Sequence, residues 1–548
     1  MDVATRNHLF EAWMRVMDIA AATQAWGALG AGLEVLDGEA AAAAYGADTT
    51  EVRRRFLGTL RPARAELIPE IMRIASRFGV PVHPISTGHN WGYGTALPVR
   101  DDCMVLDLSR LTRIIDFDAE LGIVTLEPGV TQQMLANFLD RGHHPFLVPV
   151  TGAGPTCSLV GNALERGYGV TPEADHFAAV TSIEAVLADG SVYRGMLSDL
   201  AGESLGKLFK WGLGPYCDGL FTQSGYGVVT RVSIALARRP ECIKALFFSL
   251  RDDSLLEDTV ERIRNILCSL PGVVGGINLM NRRRVLAMAA PYPADQLDPD
   301  GLIRPEAVAA MGRAYQVMPW TGFGTLYGTE RVVRAAQHEI RRALSGVATR
   351  VVFLSMGQAR WLARIAQKLP GKLGARAGKT AATIAQSLEL VEGRPNETAL
   401  PLCYWRGGTV PPPGTLLDPA RDGCGLIWYS PLVPMRPDTV RKYVKMVEEQ
   451  CHRHGIEPLI TLTSLNARLF DSTVPILFRR DDHDEATAAR ACYASLYEAG
   501  RELGTHPYRF SVHEMATLDN RVRPSADLAR RLKEALDPQG LIAPGRYE

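Results

Sequence analysis

The sequence predicts an α+β protein with two lobes, on the basis of its length and a change of texture along the chain. The chain has 548 residues, which is more than one hydrophobic core usually serves. Residues 63–241 carry short β-prone segments separated by glycine turns, whereas residues 242–501 alternate longer helical patterns with strand-like runs, as is typical of an α+β domain. We therefore predict a helical segment at 1–60, a first domain at 61–241, a second domain at 242–500 and a closing segment at 501–548.

The first domain is predicted to begin with an amphipathic helix. Apolar residues recur at helical spacing over Glu66–Phe78, Gly79 ends the pattern, and Val80–Ile85 follows as a short strand. The dipeptide Asp189-Gly190 between two β-prone runs is a strong hairpin signal. The remaining predictions are a helix capped by Thr131 and strands at Met104–Leu108, Ile114–Phe117, Ile123–Glu127, Ile183–Ala188, Val192–Arg194 and Val228–Ala237.

The second domain is predicted to mix helices with strands. The predicted helices are Ser254–Leu270, Arg331–Ser345, Thr439–His454 and Glu485–Leu503, and the predicted strands are Ala245–Leu250, Leu426–Tyr429 and Leu459–Leu465. Near the end of the chain, Ser525 caps a helix over Ala526–Leu536, which Pro538 terminates.

Charge and cysteine usage exclude several classes of function. Basic and acidic residues number 60 each, so no nucleic acid and no anionic membrane is expected as a partner. No run of about 18 apolar residues and no signal-peptide order occurs, which predicts a cytoplasmic protein. The nine cysteines contain no Cys-x-x-Cys pair and the paired histidines lack ligand spacing, so no metal is expected.

The loop Ser86–Gly94 is the most informative segment. It follows a strand directly and has glycine at three of its last seven positions, a composition that frees backbone N–H groups to face one anion, such as a pyrophosphate. A glycine-rich turn without a ligand explains this loop alone equally well. The loop is neither a Rossmann fingerprint nor a P-loop, because Gly-x-Gly-x-x-Gly and Gly-Lys-Ser/Thr are both missing.

Two later glycine-rich stretches, Thr151–Gly169 and Gly212–Val229, favour the interpretation of Ser86–Gly94 as a ligand-binding loop. Several motifs, in this order, resemble the FAD-binding domain of the vanillyl-alcohol oxidase and para-cresol methylhydroxylase flavoprotein family. The resemblance covers residues 60–240 strongly and 425–548 moderately. The matching motifs are Gly88–Gly94, Val160–Gly169, Asp175-His176, Asp218–Ser224 and Asp537–Arg546.

The resemblance implies bound FAD in a domain of the para-cresol methylhydroxylase type, beside a substrate domain with a large antiparallel sheet. It places Ser86–Gly94 around the pyrophosphate, Thr151–Gly169 beside the flavin ring, and the surroundings of Glu184 and Val228-Val229 around adenine and ribose. Residues 501–548 would return to the FAD domain. The implied cofactor-binding residues are Ser86, Thr87, Gly88, His89, Asn90, Trp91, Gly92, Thr151, Gly152, Cys157, Ser158, Gly161, Asn162, Gly167, Gly169, His176, Glu184, Gly227, Val228 and Val229.

The resemblance also bears on covalent attachment of the flavin. The second-domain positions at which phenol-oxidising relatives link it fall on Leu426 and Asp418, which cannot form the usual bond. Related branches use a histidine of the first loop, so His89 is predicted as the covalent link, with a hydrogen-bonding histidine as the alternative. Cys157 lies near the position of a second link in bicovalent relatives, but a small buried thiol is the favoured interpretation.

Four residues match the family's phenol-oxidising site, namely Tyr93, Tyr508, Arg509 and Arg546, and Trp428 is expected in the substrate pocket. A phenol has a pKa near 10. Two tyrosine hydroxyls and a guanidinium directed at its oxygen would supply about 1.5–3 kcal/mol each, enough to ionise it near neutrality. The alternatives are a tyrosine packed on the flavin, a surface Tyr-Arg pair and an arginine that ties down the chain end.

The chain departs from the family in its acid–base residues. An acidic residue and paired histidines of the second domain fall on Thr461 and on Phe470-Asp471, and an aspartate beside the flavin falls within Gly152–Gly154. A catalytic base is therefore lost or moved. The nearest substitutes are Asp471, His513 and Glu514, each interpreted as an ordinary surface or capping residue.

The function predicted from these residues is FAD-dependent removal of a hydride from a para-substituted phenol or related aryl substrate. One alternative is oxidation of a 2-hydroxy acid, alcohol or biosynthetic intermediate, with Arg509 and Arg546 holding a carboxylate. A second is a redox-neutral or non-catalytic flavoprotein. The expected partners are a small-molecule substrate and an electron acceptor (oxygen, a quinone or a cytochrome), and relatives suggest a homodimer.

Overall fold

Three β-sheets with helices packed on them make up the computed structural model, which describes residues 17–366, 382–518 and 524–547. The predicted α+β class is confirmed. The helices are Ile19–Gly27, Gly38–Tyr45, Ile68–Phe78, Gln132–Arg141, Leu159–Leu164, Met196–Ala201, Glu203–Gly206, Leu256–Ser269, Arg282–Ala289, Pro305–Tyr315, Glu330–Ala343, Met356–Ala366, Pro437–Arg453, His483–Glu502 and Pro524–Leu536, with helical residues also at 382–391. Short 3₁₀ turns lie at Ala65–Leu67, Asp218–Phe221, Asp253–Leu255, Leu400–Tyr404 and Met515–Thr517.

The first sheet has four strands and carries the glycine loop. In spatial order its strands are Leu33–Asp37, Phe56–Pro62, Cys103–Asp107 and Val82–Ile85. The first pair is antiparallel and the other two pairs are parallel. The predicted helical segment 1–60 therefore also supplies strands to this sheet. Residues 1–16 lie outside the described residues.

The second sheet has five antiparallel strands and packs the rest of the first domain. In order these are Ile114–Asp118, Ile123–Leu126, Val228–Ala235, Val180–Val186 and Val192–Arg194. The last two form the hairpin that Asp189-Gly190 predicts, and Gly190 has the positive φ of 79° that such a turn requires. The predicted cap is also present, because the Thr131 side chain accepts from the N–H of Met134 at 3.2 Å.

The third sheet has nine antiparallel strands and forms the second domain. Its strands in order are Thr349–Leu354, Cys242–Leu250, Trp320–Gly328, Val274–Asn281, Thr461–Ser464, Leu469–Arg479, Pro431–Pro434 and His506–Pro507, and Cys424–Tyr429 pairs separately with Leu469–Arg479. Helices Leu256–Ser269, Glu330–Ala343, Pro437–Arg453 and His483–Glu502 bury apolar faces in its main core.

The end of the chain lies against the first sheet. The N–H of Val82 donates to the carbonyl of Leu541 at 2.7 Å, and the N–H of Ala543 donates back to Val82 at 2.8 Å. Buried Lys533 donates to Asp537 at 2.8 Å and to the carbonyl of Gly225 at 2.7 Å. These contacts hold Arg546 beside residues of the first domain.

No helix within residues 17–366, 382–518 or 524–547 is both long and apolar enough to cross a membrane.

Candidate active site

A cavity of about 490 Å³ lies where the glycine loop, the second glycine-rich stretch and the third sheet meet. Its wall contains Tyr93, Tyr508, Arg509, Arg546 and Trp428. The cavity therefore brings the five predicted catalytic and substrate-contacting residues together, although they are separated by more than 400 positions in sequence.

The glycine loop presents backbone donors to this cavity. Ser86 to Trp91 all line the wall, and the N–H groups of Thr87, Gly88 and His89 donate to no backbone carbonyl among the described residues. Gly88 has a φ of 69°, which an L-residue adopts only with strain. Consecutive amides in such a turn form an anion-binding nest, so the loop fits the pyrophosphate of FAD.

Two glycines permit close approaches around the loop. A Cβ on Gly161 would lie 2.3 Å from Oγ of Ser86, and one on Gly92 would lie 2.3 Å from Cδ1 of Trp428. Gly92 also has a φ of 76°. Larger residues at either position would push the nest or the indole into the cavity.

Most of the predicted cofactor residues line the cavity. Those in its wall are Ser86, Thr87, Gly88, His89, Asn90, Trp91, Thr151, Gly152, Cys157, Ser158, Gly161, Asn162, Gly167, Gly227 and Val229. Five others are not among the residues that line the cavity, namely Gly92, Gly169, His176, Glu184 and Val228.

Three of the residues outside the lining have other contacts that explain them. Nδ1 of His176 lies 2.5 Å from Oδ1 of Asn162, which orients an amide in the wall. Glu184 instead pairs with Arg194 at 2.8 Å, and Val228 is fully buried. The hydrophobic strand position of Val228 explains its burial better than a ribose contact.

His89 lines the cavity, and contacts hold its ring on two sides. Its ring stacks on Trp91 with centroids 5.0 Å apart, and its Nδ1 lies 3.0 Å from Oγ1 of Thr156. Burial lowers its pKa, which the nearby Asp418 carboxylate only partly opposes. A neutral imidazole with a fixed ring is thus available at the cavity wall. Cys157 is buried, and burial raises the pKa of its thiol, which makes it a poor nucleophile.

The residues predicted to bind a phenol form one polar cluster. The Arg509 guanidinium lies 4.2 Å from the centroid of the Tyr93 ring and donates to Oδ1 of Asn90. The Tyr93 hydroxyl lies 2.8 Å from Oγ of Ser430. Burial raises the pKa of Tyr93 to about 12 and that of Tyr508 well above its ordinary value. Both tyrosines therefore stay protonated donors while a phenol of ordinary pKa ionises first.

Sequence reasoning missed the carboxylate that organises the two arginines. Glu165 pairs with Arg509 at 3.3 Å and accepts a short hydrogen bond from Arg546. Burial opposes its ionisation, yet Arg546 and Arg509 hold its pKa below the ordinary value. One carboxylate thus fixes both guanidinium groups and neutralises one of their two charges. Glu165 stands inside a glycine-rich motif, where no pattern distinguishes it from a solvent-exposed glutamate.

Asp471 is a buried cavity residue, which corrects its interpretation as a surface or capping residue. It lies on the strand Leu469–Arg479 and is 5% exposed, and its Oδ1 has no hydrogen-bond partner among the described residues. Burial raises its pKa to about 7, against the opposing charge of Arg509. Its charge in turn raises the pKa of Tyr508. Asp471 can therefore exchange a proton near neutrality.

His513 and Glu514, the other suggested bases, lie away from the cavity wall. Nε2 of His513 lies 2.8 Å from Oδ2 of buried Asp48, and this pair anchors the chain near the loop. A structural role therefore explains His513.

Arg284, on the helix Arg282–Ala289, lines the cavity and was not predicted from sequence. Its Nε donates to Oγ1 of Thr461 at 3.2 Å, and its buried Nη1 has no hydrogen-bond partner among the described residues. Burial lowers its pKa to about 10, so it remains a cation at neutral pH. The helix stands in the region where the sequence matches the family least, which explains why no motif indicated it.

Comparison with known proteins identifies the family. A family model described as an FAD binding domain matches residues 57–195. The chain is 34% identical over 514 residues to 1'-carboxy-chondrochloren decarboxylase of Chondromyces crocatus, covering 93% of this chain and 94% of that protein. It is 26% identical over 486 residues to the 4-cresol dehydrogenase [hydroxylating] flavoprotein subunit of Pseudomonas putida, covering 88% and 85% of the two. The chain belongs to the vanillyl-alcohol oxidase and para-cresol methylhydroxylase family.

Membership of this family accounts for the fold and the cofactor. A substrate-bound crystal structure of p-cresol methylhydroxylase matches the model with a TM-score of 0.83 at 24% identity, covering 96% of each chain. The vanillyl-alcohol oxidase and para-cresol methylhydroxylase family members bind FAD, and the open loop amides and close glycine approaches around the cavity fit that group. The protein is an FAD-dependent oxidoreductase of this family.

Proposed function

We propose that the enzyme oxidises a para-substituted phenol at the carbon attached to its ring. The observation that carries this proposal is the convergence of Arg509, Tyr93, Tyr508 and Asp471 on one cavity wall. Three of these groups can stabilise an ionised phenol oxygen, and the fourth titrates in the range in which such a phenol must lose its proton.

Each of these side chains has a defined part in the reaction. Arg509 and the tyrosine hydroxyls hold the phenolate, whose negative charge pushes electron density towards the para carbon. Asp471 receives the phenolic proton at its unpaired carboxylate oxygen. FAD, when bound, supplies the hydride acceptor. The product of hydride loss is a quinone methide, which water or an internal nucleophile traps.

Anaerobic mixing of the FAD-loaded enzyme with substrate panels tests this proposal. We expect 4-ethylphenol and 4-hydroxybenzyl alcohol to bleach the flavin absorbance, whereas phenyl ethers of the same size leave it unchanged because they cannot ionise. Bleaching by 2-hydroxy acids alone would reject the proposal in favour of alcohol oxidation. A flavin that no compound bleaches would indicate a redox-neutral protein.

A second candidate reaction is oxidation coupled to loss of CO₂. The name of the Chondromyces crocatus relative describes a decarboxylase. The cavity is also lined by Arg284, a cation that forms no ion pair within the described part of the chain. If the side-chain carbon beyond the oxidised carbon of the quinone methide carries a carboxylate, the bond between that carbon and the carboxylate can break. The electron pair then forms a side-chain double bond, the ring regains its phenolate, and CO₂ leaves without a further oxidant.

The same panel distinguishes the two candidates. Adding 3-(4-hydroxyphenyl)propanoate labelled at its carboxyl carbon shows whether flavin bleaching is accompanied by labelled CO₂. Neither candidate needs Arg509 and Arg546 to hold a substrate carboxylate.

We also propose that His89 is the covalent link to the flavin. After acid precipitation of the wild-type protein, the yellow colour should stay with the pellet. The variant His89→Ala should release all of it to the supernatant while still binding FAD, because the loop amides remain. Cys157→Ser serves as the matched control and should retain the colour. Release from wild-type protein would contradict the link.

A further inference from the structure

The charges around the cavity are unevenly balanced. Arg509 and Arg546 share Glu165. Arg284, by contrast, forms no ion pair with any carboxylate of the described residues, and its one hydrogen bond goes to a threonine hydroxyl. A hydroxyl accepts a hydrogen bond but does not neutralise a guanidinium. Arg284 is half-buried and its Nη1 is buried, so an anionic partner would recover free energy that its guanidinium loses on leaving water.

Strand register separates Thr461, which accepts a hydrogen bond from Arg284, from Asp471. Thr461, which accepts from Arg284, pairs directly with Thr473, and Thr473 lines the cavity two residues after Asp471. Residues two apart on a strand face the same side and lie about 7 Å apart. Asp471 and Thr461, which holds Arg284, therefore mark two separate positions on one side of the sheet. Their spacing is similar to the length of a small substituted ring.

We propose that Arg284 binds a carboxylate carried by the side chain of the substrate. The inference rests on the proposed phenol oxidation for the other end of the molecule, and it narrows the substrate class to para-substituted phenols with an anionic tail. Guanidinium and carboxylate groups form paired, charge-assisted hydrogen bonds, and the free Nη1 of Arg284 is available for one of them. A substrate carboxylate bound there would also neutralise the charge of Arg284, which no carboxylate of the described residues pairs with.

Binding measurements on the FAD-loaded enzyme, with its flavin reduced beforehand by dithionite, test the assignment without turnover. We expect wild-type protein to bind 3-(4-hydroxyphenyl)propanoate about 10- to 100-fold more tightly than its neutral primary amide, as measured by calorimetry under anaerobic conditions, which is the range for a charge-assisted bond. In Arg284→Gln this preference should fall below about threefold through loss of acid binding, with amide affinity little changed. Arg284→Lys should retain part of the preference.

Arg282→Gln is the matched control, because Arg282 lies on the same helix but outside the cavity wall. It should keep the wild-type preference for the acid. Equal binding of acid and amide by wild-type protein would overturn the proposal, as would an equal loss of both ligands in Arg284→Gln. Flavin bleaching is recorded in parallel on the oxidised enzyme and keeps the two proposals separate. If the enzyme prefers the acid to the amide but its flavin is not bleached, phenol oxidation alone is rejected.

Discussion

Replacing Arg509 by methionine is expected to lower kcat/KM for a para-alkyl phenol by about 10²- to 10³-fold, the usual loss when one donor to a developing oxyanion is removed. The guanidinium is 9% exposed and lies over the Tyr93 ring, so water cannot replace it. Its loss also removes the charge that holds down the pKa of Asp471. The remaining activity should therefore require a higher pH.

A bound phenol that cannot be oxidised reports the ionisation step directly. Wild-type protein should bind 4-hydroxybenzonitrile as its phenolate at a pH below the pKa of the free phenol, as seen in its difference spectrum, and Arg509→Met should bind the neutral form. Arg546→Met is the control, since it removes the other arginine on Glu165. A phenolate spectrum in Arg509→Met would show that this arginine does not ionise the substrate.

Asp471→Asn is expected to lower kcat/KM by about 10²- to 10⁴-fold, the range for loss of a general base. In the wild-type enzyme the carboxylate must be unprotonated to accept a proton, and its pKa is about 7. Activity should therefore rise with pH through about 7 and level off above it. The variant should lack this limb of the profile while retaining bound FAD. If Asp471→Asn still shows this rise of activity with pH, the rise belongs to another titrating group.

The same substitution should stabilise the fold at alkaline pH. Burial raises the pKa of Asp471 from 3.8 to about 7, so between these values the unfolded chain loses a proton that the native state keeps. The native state consequently loses stability as pH rises through this window, by up to about 4 kcal/mol above pH 7. Asp471→Asn should raise the free energy of unfolding at pH 8 by up to that amount, and little below pH 3.8. Denaturant titrations at the two pH values measure the difference.

The strand that carries Asp471 shows where sequence patterns stop being informative. Leu469–Arg479 is buried at nearly every position, so it lacks the alternation by which a half-buried strand is recognised. It is an interior strand, paired with Thr461–Ser464, Pro431–Pro434 and Cys424–Tyr429, so an aspartate in it is a buried acid. Without that pairing, a lone carboxylate between Phe470 and Ser472 gave no reason to expect a perturbed pKa.

Local chemistry in the sequence determined the loops, caps and turns of this protein. Glycine spacing in Ser86–Gly94, the Asp189-Gly190 hairpin and the Thr131 cap each depend on the conformational limits of a few adjacent residues. The ordered glycine motifs also carried the family resemblance, and that resemblance implied FAD and a cluster of Tyr93, Tyr508 and Arg509. Contacts between residues that are close in sequence can therefore be predicted from the sequence itself.

Only the tertiary structure decided which charged groups share the cavity. Glu165 meets Arg546 across 381 positions, and Arg284 meets Thr461 across 177. Whether such a side chain is paired, buried or exposed to solvent depends on which strands become neighbours. Burial and pairing set the energy of a charge, so the buried Asp471, the organising Glu165 and Arg284, which has no ion pair among the described residues, became visible only once the sheets were assembled.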